Sequence, residues 1–189
     1  FTVAESVYGR FIVNRHCSQQ IDALAKTGRT HIEDELKNIF DVVDKLPDDA
    51  IILDCGTNIG AFLIPVAHRV KGKNVKIIGF EPQRMMYNAI LGSIALNDLE
   101  NCWVHPYAVG SKESKVTLTP MDYTKEADYG TAAAKAVTAV ENRYMRQWEA
   151  DCITLDSLEL PRIDFIKMDI EGYEVEALKG AKAVLERFR

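Results

Sequence analysis

The sequence predicts an α/β domain with an open, mostly parallel sheet and helices on both of its faces. Three observations predict it. Short apolar runs alternate with stretches of helical periodicity, a pattern that leads to parallel strands joined by helical crossovers. One of these runs, Ile51-Ile52-Leu53, passes directly into a glycine-containing turn, Asp54-Cys55-Gly56-Thr57-Asn58-Ile59-Gly60. The next run closes on an acidic residue, in Phe80-Glu81-Pro82.

The elements follow in order. Gly9 to Val13 is a short apolar segment that reads as a strand or hairpin arm. Thr30 followed by Glu33 has the form of a capping box, and Leu36, Ile39, Phe40, Val43 and Leu46 then recur at helical spacing until Pro47 stops the helix. Ile51 to Leu53 reads as a strand buried on both faces. A helix is expected from about Ala61 to Val70, with Pro65 kinking it or shifting its start. Val75 to Phe80 is the second strand of the core, and Met86, Ile90 and Ile94 mark the apolar stripe of the helix after it. Trp103 to Val109 reads as a third strand and Ile163 to Met168 as another. The last helix is expected to turn Val175, Leu178, Ala181, Leu185 and Phe188 inward. Lys115 to Leu118 and Cys152 to Leu155 read as accessory strands. Pro120 to Glu149 lacks strong periodicity, and a loop of that length in a small domain is usually functional or disordered; Asp128-Tyr129-Gly130-Thr131 within it is expected to help form an acceptor site. Residues 1–49 thus read as an N-terminal segment and helix packing on a core of residues 50–189, one domain overall.

Composition narrows the function classes. No apolar run approaches the ~20 residues of a membrane span. A net charge of −5 without a basic cluster argues against a large phosphate-tracking surface, so no nucleic-acid partner is expected. Cys17, Cys55, Cys102 and Cys152 are scattered, which suits reduced thiols and a cytoplasmic location better than a disulfide framework or a zinc site. The chain begins at Phe1 without a signal peptide and reads as a domain of something longer.

The chemistry concentrates at two strand ends, where open parallel sheets bind ligands. Gly56 and Gly60 let the backbone turn tightly and approach a ligand, or serve only to make that turn. Glu81 is placed to accept hydrogen bonds from both ribose hydroxyls of a nucleoside. Glycines with a downstream acid also describe an NAD site, but the three-glycine turn that cradles a pyrophosphate is missing here. Asp54 would oppose a pyrophosphate and suit the positive amino group of a methionine moiety.

In order along the chain, Leu53 to Gly60, Phe80-Glu81-Pro82, Ala108-Val109-Gly110, Thr154-Leu155-Asp156 and Lys167-Met168-Asp169-Ile170-Glu171-Gly172-Tyr173-Glu174 resemble the motifs of FkbM-type methyltransferases. Gly9 to Asn14 and Gly28 also look like that family's N-terminal segment. The resemblance implies a class I methyltransferase fold and methyl transfer from S-adenosylmethionine, usually to a hydroxyl of a small molecule such as a sugar or polyketide. It implies that Asp54, Gly56, Asn58 and Gly60 hold the methionine end, that Glu81 holds the ribose, and that the backbone near Tyr107 and Ala108 flanks the adenine. It further implies that the sheet continues, with a strand after Arg189 pairing beside Ile163 to Met168.

Asp169 and Glu171 are the candidate catalytic residues. Asp169 ends its strand at the expected cleft and would accept a substrate proton or orient a hydroxyl. Glu171 would assist, or would instead satisfy free N–H groups at a helix start. A metal is not expected, since Glu174 should not converge with these two. Of His16, His31, His68 and His105, the first two are placed to line a substrate side. Two other readings stay open: a non-catalytic binding or scaffold module on the same fold, and an NAD-linked oxidoreductase. Sequence leaves the oligomeric state unread.

Overall fold

The computed structural model describes residues 1–118, 121–126 and 148–188. The chain opens with an antiparallel hairpin, β1 (Thr2–Ser6) and β2 (Gly9–Val13). Two helices follow, α1 (Ser18–Thr27) and α2 (Glu33–Val43). The first of these carries no strong apolar periodicity in sequence, and it ends where Gly28 takes a left-handed conformation. The expected capping box does not form at α2. Ile32 occupies the cap position without a side-chain hydrogen bond, and Glu33 is instead drawn to the Tyr8 hydroxyl, which donates to its two carboxylate oxygens at 3.0 and 2.9 Å. Arg29 pairs with the same carboxylate.

The core units come next: β3 (Ile51–Cys55), α3 (Leu63–Arg69), β4 (Lys76–Phe80), α4 (Arg84–Leu96) and β5 (Cys102–His105). Pro65 falls in the first turn of α3, where its missing N–H has no intrahelical carbonyl to meet. It delays the start of the helix and does not break it. The run Trp103 to Val109 is not one strand. Pro106 interrupts it, so β5 stays with β4 while β6 (Tyr107–Val109) leaves to pair with β8 (Trp148–Ile153). With β7 (Ser114–Leu118), these make a second, three-stranded sheet in the order β6-β8-β7. The proposed segment Asp128 to Thr131 lies outside the described residues.

The chain then returns to the central sheet as β9 (Phe165–Met168), giving the order β5-β4-β3-β9 with every pair parallel. Strand alternation divides the core between the two faces of the sheet. Ile52 and Ile77 belong to a cluster with Leu63, Ile64 and Ile90, while Leu53, Cys55 and Phe80 belong to another with Val109, Ala177 and Ala181. The N-terminal segment joins the first cluster through Phe11, Val13, Leu24, Leu36 and Val43. Polar contacts fix it further: Ile12 N–H donates to Ser93 Oγ and Arg10 N–H to Asn97 Oδ1, each at 2.8 Å.

The final helical stretch differs from expectation in two ways. It is broken into α5 (Glu174–Lys179) and α6 (Lys182–Arg187), and its buried residues are Ala177, Ala181 and Val184. Of the five residues expected inward, Ala181 is buried and Phe188 packs partly buried against the core, while Val175, Leu178 and Leu185 are exposed. Two stripes in this segment have helical spacing, and the one with small side chains faces the core. The reason is close approach: a Cβ on Gly180 would stand 2.2 Å from the carbonyl oxygen of Gly110. The four cysteines are buried free thiols, and no described helix is long and apolar enough to cross a membrane.

Candidate functional site

A cavity of about 290 Å3 lies beyond the carboxyl ends of β3, β4 and β9. Its floor is the turn after β3, stitched to both neighbouring strands. Gly56 and Thr57 N–H donate to the Phe80 carbonyl at 3.0 and 3.1 Å, and Asp169 N–H donates to the Cys55 carbonyl at 3.1 Å. Gly56 sits at φ 83° against β9, where a Cβ would come within 2.0 Å of the Asp169 carbonyl oxygen. No side chain fits there. Gly60 also has a left-handed φ, of 87°, but a Cβ there would meet Ile90 Cδ1 of α4 at 2.2 Å. Gly60 is therefore favoured by its backbone conformation and by its closeness to α4, and it does not line the cavity.

Glu81 follows β4 and is almost fully buried. Its Oε2 accepts from Asn58 N–H and its Oε1 from Gln83 N–H, both at 2.8 Å. Asn58 takes a left-handed φ of 50° in this turn. Burial pushes the Glu81 carboxyl up to about 7; the two backbone donors oppose this, and the charge of Asp54 adds to it. Each oxygen keeps a lone pair beyond the one its backbone partner uses.

Asp54 takes a different place from the one its motif suggested. It is fully buried, it is absent from the cavity wall, and neither carboxylate oxygen has a hydrogen-bond partner among the described residues. Its ion-pair partner is Lys167, whose Nζ lies 3.4 Å from Oδ1. Burial raises the Asp54 pKa and Lys167 restrains the rise. Lys167 itself lines the cavity. Its Nζ donates to the Gly56 carbonyl at 3.1 Å and lies 3.7 Å from Asp169 Oδ2. Burial works against its charge, but Asp54 and Asp169 outweigh burial and hold the pKa above the ordinary lysine value.

The remaining expected residues divide as follows. Tyr107, Ala108, Asp169 and Glu171 line the cavity with Gly56, Asn58 and Glu81. Asp169 and Glu171 are exposed at the mouth, and Glu171 has a positive φ of 57° beside Gly172 at 88°. These two left-handed residues swing the chain from β9 into α5. At the helix start Glu174 accepts from Ile170 and Gly172 N–H at 2.9 and 3.2 Å. His31 lines the cavity and His16 does not.

Lys167 had no role assigned from sequence. Its signal was available in the Lys-Met-Asp spacing, because residues two apart in a strand share a face. The N-terminal segment contributes more than His31. Gln19, Ile32 and Glu35 also form wall, and buried Gln20 donates through Nε2 to Asn58 Oδ1 at 3.4 Å. Ile59, Phe62, Phe80, Met86 and Val109 supply an apolar lining. The arrangement offers a buried carboxylate for paired donors, a cation and exposed carboxylates, all at one opening.

Comparison with known proteins shows the family of the chain. The profile of the Methyltransferase FkbM domain matches residues 54–189. Methyltransferase 1 of Beauveria bassiana (strain ARSEF 2860) is 25% identical over 79% of this chain and 65% of its own length. Methyltransferase sdnD of Sordaria araneosa is 29% identical over 75% of this chain and 63% of its own length. The chain thus spans less than two thirds of these curated relatives. The crystal structure of the FkbM methyltransferase from Methylobacillus flagellatus KT is similar in fold, with a TM-score of 0.52 at 22% identity over 76% of this chain and 32% of that one.

Proposed function

This chain belongs to the FkbM methyltransferase family, and from that premise we propose that it methylates a hydroxyl group on a small molecule such as a sugar or polyketide. S-adenosylmethionine is the cofactor of the family, and when bound it supplies an electrophilic methyl group on a sulfonium. The residues present fit it. Glu81 carries the reading: its two oxygens, each fixed by one backbone N–H at 2.8 Å, keep lone pairs for the two vicinal hydroxyls of a ribose. The turn at Gly56 and Asn58 would hold the methionine end. The backbone and side chains at Tyr107 and Ala108 would flank the adenine, with Phe80 and Val109 adding apolar surface.

Asp169 and Glu171 stand at the mouth, where an acceptor enters. An alcohol is a poor nucleophile until its proton is leaving. In this reading Asp169 would accept that proton as it leaves the acceptor oxygen. Glu171 orients the same hydroxyl. Asp54 acts through Lys167 and does not touch the ligand.

The experiment is direct. Thermal shifts with S-adenosylhomocysteine and with NAD are compared, and small-molecule acceptors are then screened with cofactor labelled in its methyl group. Stabilisation by S-adenosylhomocysteine of about 2.7 kcal/mol is expected at a hundred times its dissociation constant. Stabilisation by NAD instead, or no label transferred to any hydroxylated acceptor despite tight cofactor binding, would refute the proposal.

A further inference from the structure

The geometry points to Lys167 as the anchor for the carboxylate of the cofactor's amino-acid end. The inference rests on reading the cavity as the cofactor site. Three observations carry it. Asp54, the acid that opens the glycine turn, is sealed beneath Lys167, so a ligand reaching this corner meets an ammonium before any carboxylate of the turn. Lys167 Nζ has three hydrogens. One is committed to the Gly56 carbonyl at 3.1 Å, while Asp54 stands at 3.4 Å as an ion-pair partner without a hydrogen bond. The other neighbour on the cavity side is Asp169 Oδ2 at 3.7 Å, beyond hydrogen-bond length and on an exposed side chain, so Nζ keeps a hydrogen for a ligand. A ligand carboxylate is a stronger partner for that hydrogen than the distant Asp169.

The buried pair explains why the cation can stay there. Asp54 balances Lys167 within the protein, so the ammonium remains charged although it is largely buried. Asp54 is thereby a positioning residue, acting on the ligand only through Lys167. A ligand ammonium placed against Lys167 would meet a like charge, which reverses the usual expectation for an acid in this turn.

The test compares S-adenosylhomocysteine with its decarboxylated analogue, which keeps the nucleoside, the sulfur and the amine. Calorimetric titration of the wild-type protein should show the analogue binding about 10- to 100-fold more weakly, the range for losing a charge-assisted hydrogen bond. Lys167→Met should weaken S-adenosylhomocysteine by a similar factor and leave the analogue nearly unchanged. Because removing one partner of a buried pair threatens folding, Asp54→Asn/Lys167→Met is measured beside it; in that protein the two ligands should bind alike. Equal binding of the two ligands by the wild-type protein would overturn the anchor while leaving the cofactor site intact. So would a preference for S-adenosylhomocysteine that survives in the double variant, since the carboxylate would then be held by other groups. Failure of the wild-type protein to bind either ligand would overturn both the anchor and the cofactor site.

Discussion

The clearest consequence of the Glu81 environment is that cofactor affinity should titrate near neutrality. Burial raises this carboxyl from 4.5 to about 7. In the ligand-free protein the sign is that of a raised acid: the folded state holds the proton more tightly than the unfolded chain. Its contribution to stability is full below about 4.5 and is lost as pH rises to about 7, by roughly 3 kcal/mol. Ligand binding runs the other way. A proton on either oxygen takes a lone pair that a ribose hydroxyl would use, so the ionised form binds and the protonated form does not. With a midpoint near 7, S-adenosylhomocysteine should bind about tenfold more weakly at pH 6 than at pH 8. Titration calorimetry at several pH values, in buffers of different ionisation enthalpy, measures both the affinity and the proton released. Asp54 beneath the cavity also has its pKa raised by burial, and Glu81→Gln separates it from Glu81. That variant turns an amide N–H2 toward one of the two backbone donors, so it should bind weakly, but its affinity should be flat across this range. An unchanged dissociation constant from pH 6 to 8 in the wild-type protein, or a full slope retained in Glu81→Gln, would refute the reasoning.

Three further outcomes are expected. Gly60→Ala should lower stability by about 1–3 kcal/mol in denaturant unfolding, from its left-handed φ and the clash with Ile90, while the folded protein keeps its affinity for S-adenosylhomocysteine; Gly56→Ala, whose Cβ meets backbone at 2.0 Å, should lose binding as well. Glu174→Ala should free the Ile170 and Gly172 N–H groups and cost about 1 kcal/mol of stability, read in the same unfolding assay. Asp169→Asn should slow single-turnover methyl transfer by about 100-fold or more with cofactor affinity and melting temperature nearly unchanged, whereas full activity in that variant would remove Asp169 from the proton transfer.

Much of the fold was legible because the parallel strands are short apolar runs bounded by glycine, proline and acidic residues. β3 and β4 match their predicted runs within a residue or two. The misses share a cause, which is that packing chose between local patterns of equal merit. In α5 and α6 two apolar stripes have helical spacing; Ala181 is buried as expected, and the close approach of Gly180 to Gly110 favours Ala177 and Val184 over Val175, Leu178 and Leu185. At Thr30 and Glu33 the capping pattern was present, but Tyr8 and Arg29, brought from the hairpin and the end of α1, captured the carboxylate first. Trp103 to Val109 looked continuous because apolar content does not show that Pro106 divides it between two sheets.

The site was legible to the extent that it is built from strand ends, and illegible where depth decides. Glu81 and Asn58 meet because parallel pairing of β3 with β4 places their following turns side by side. The same register sets Lys167 opposite Asp54 across β3 and β9, on one face of the sheet. A motif read along one strand assigns its acid to the ligand. Once the neighbouring strand contributes a cation on the same face, the buried acid has an ion-pair partner within the protein, and a lysine lines the cavity wall above it. Lys167 and Asp169, two residues apart on that strand, then stand together at the wall as adjacent opposite charges. The electrostatics of this corner therefore belong to the pairing of β3 with β9, and a reading of either segment alone omits one of the two charges that meet there.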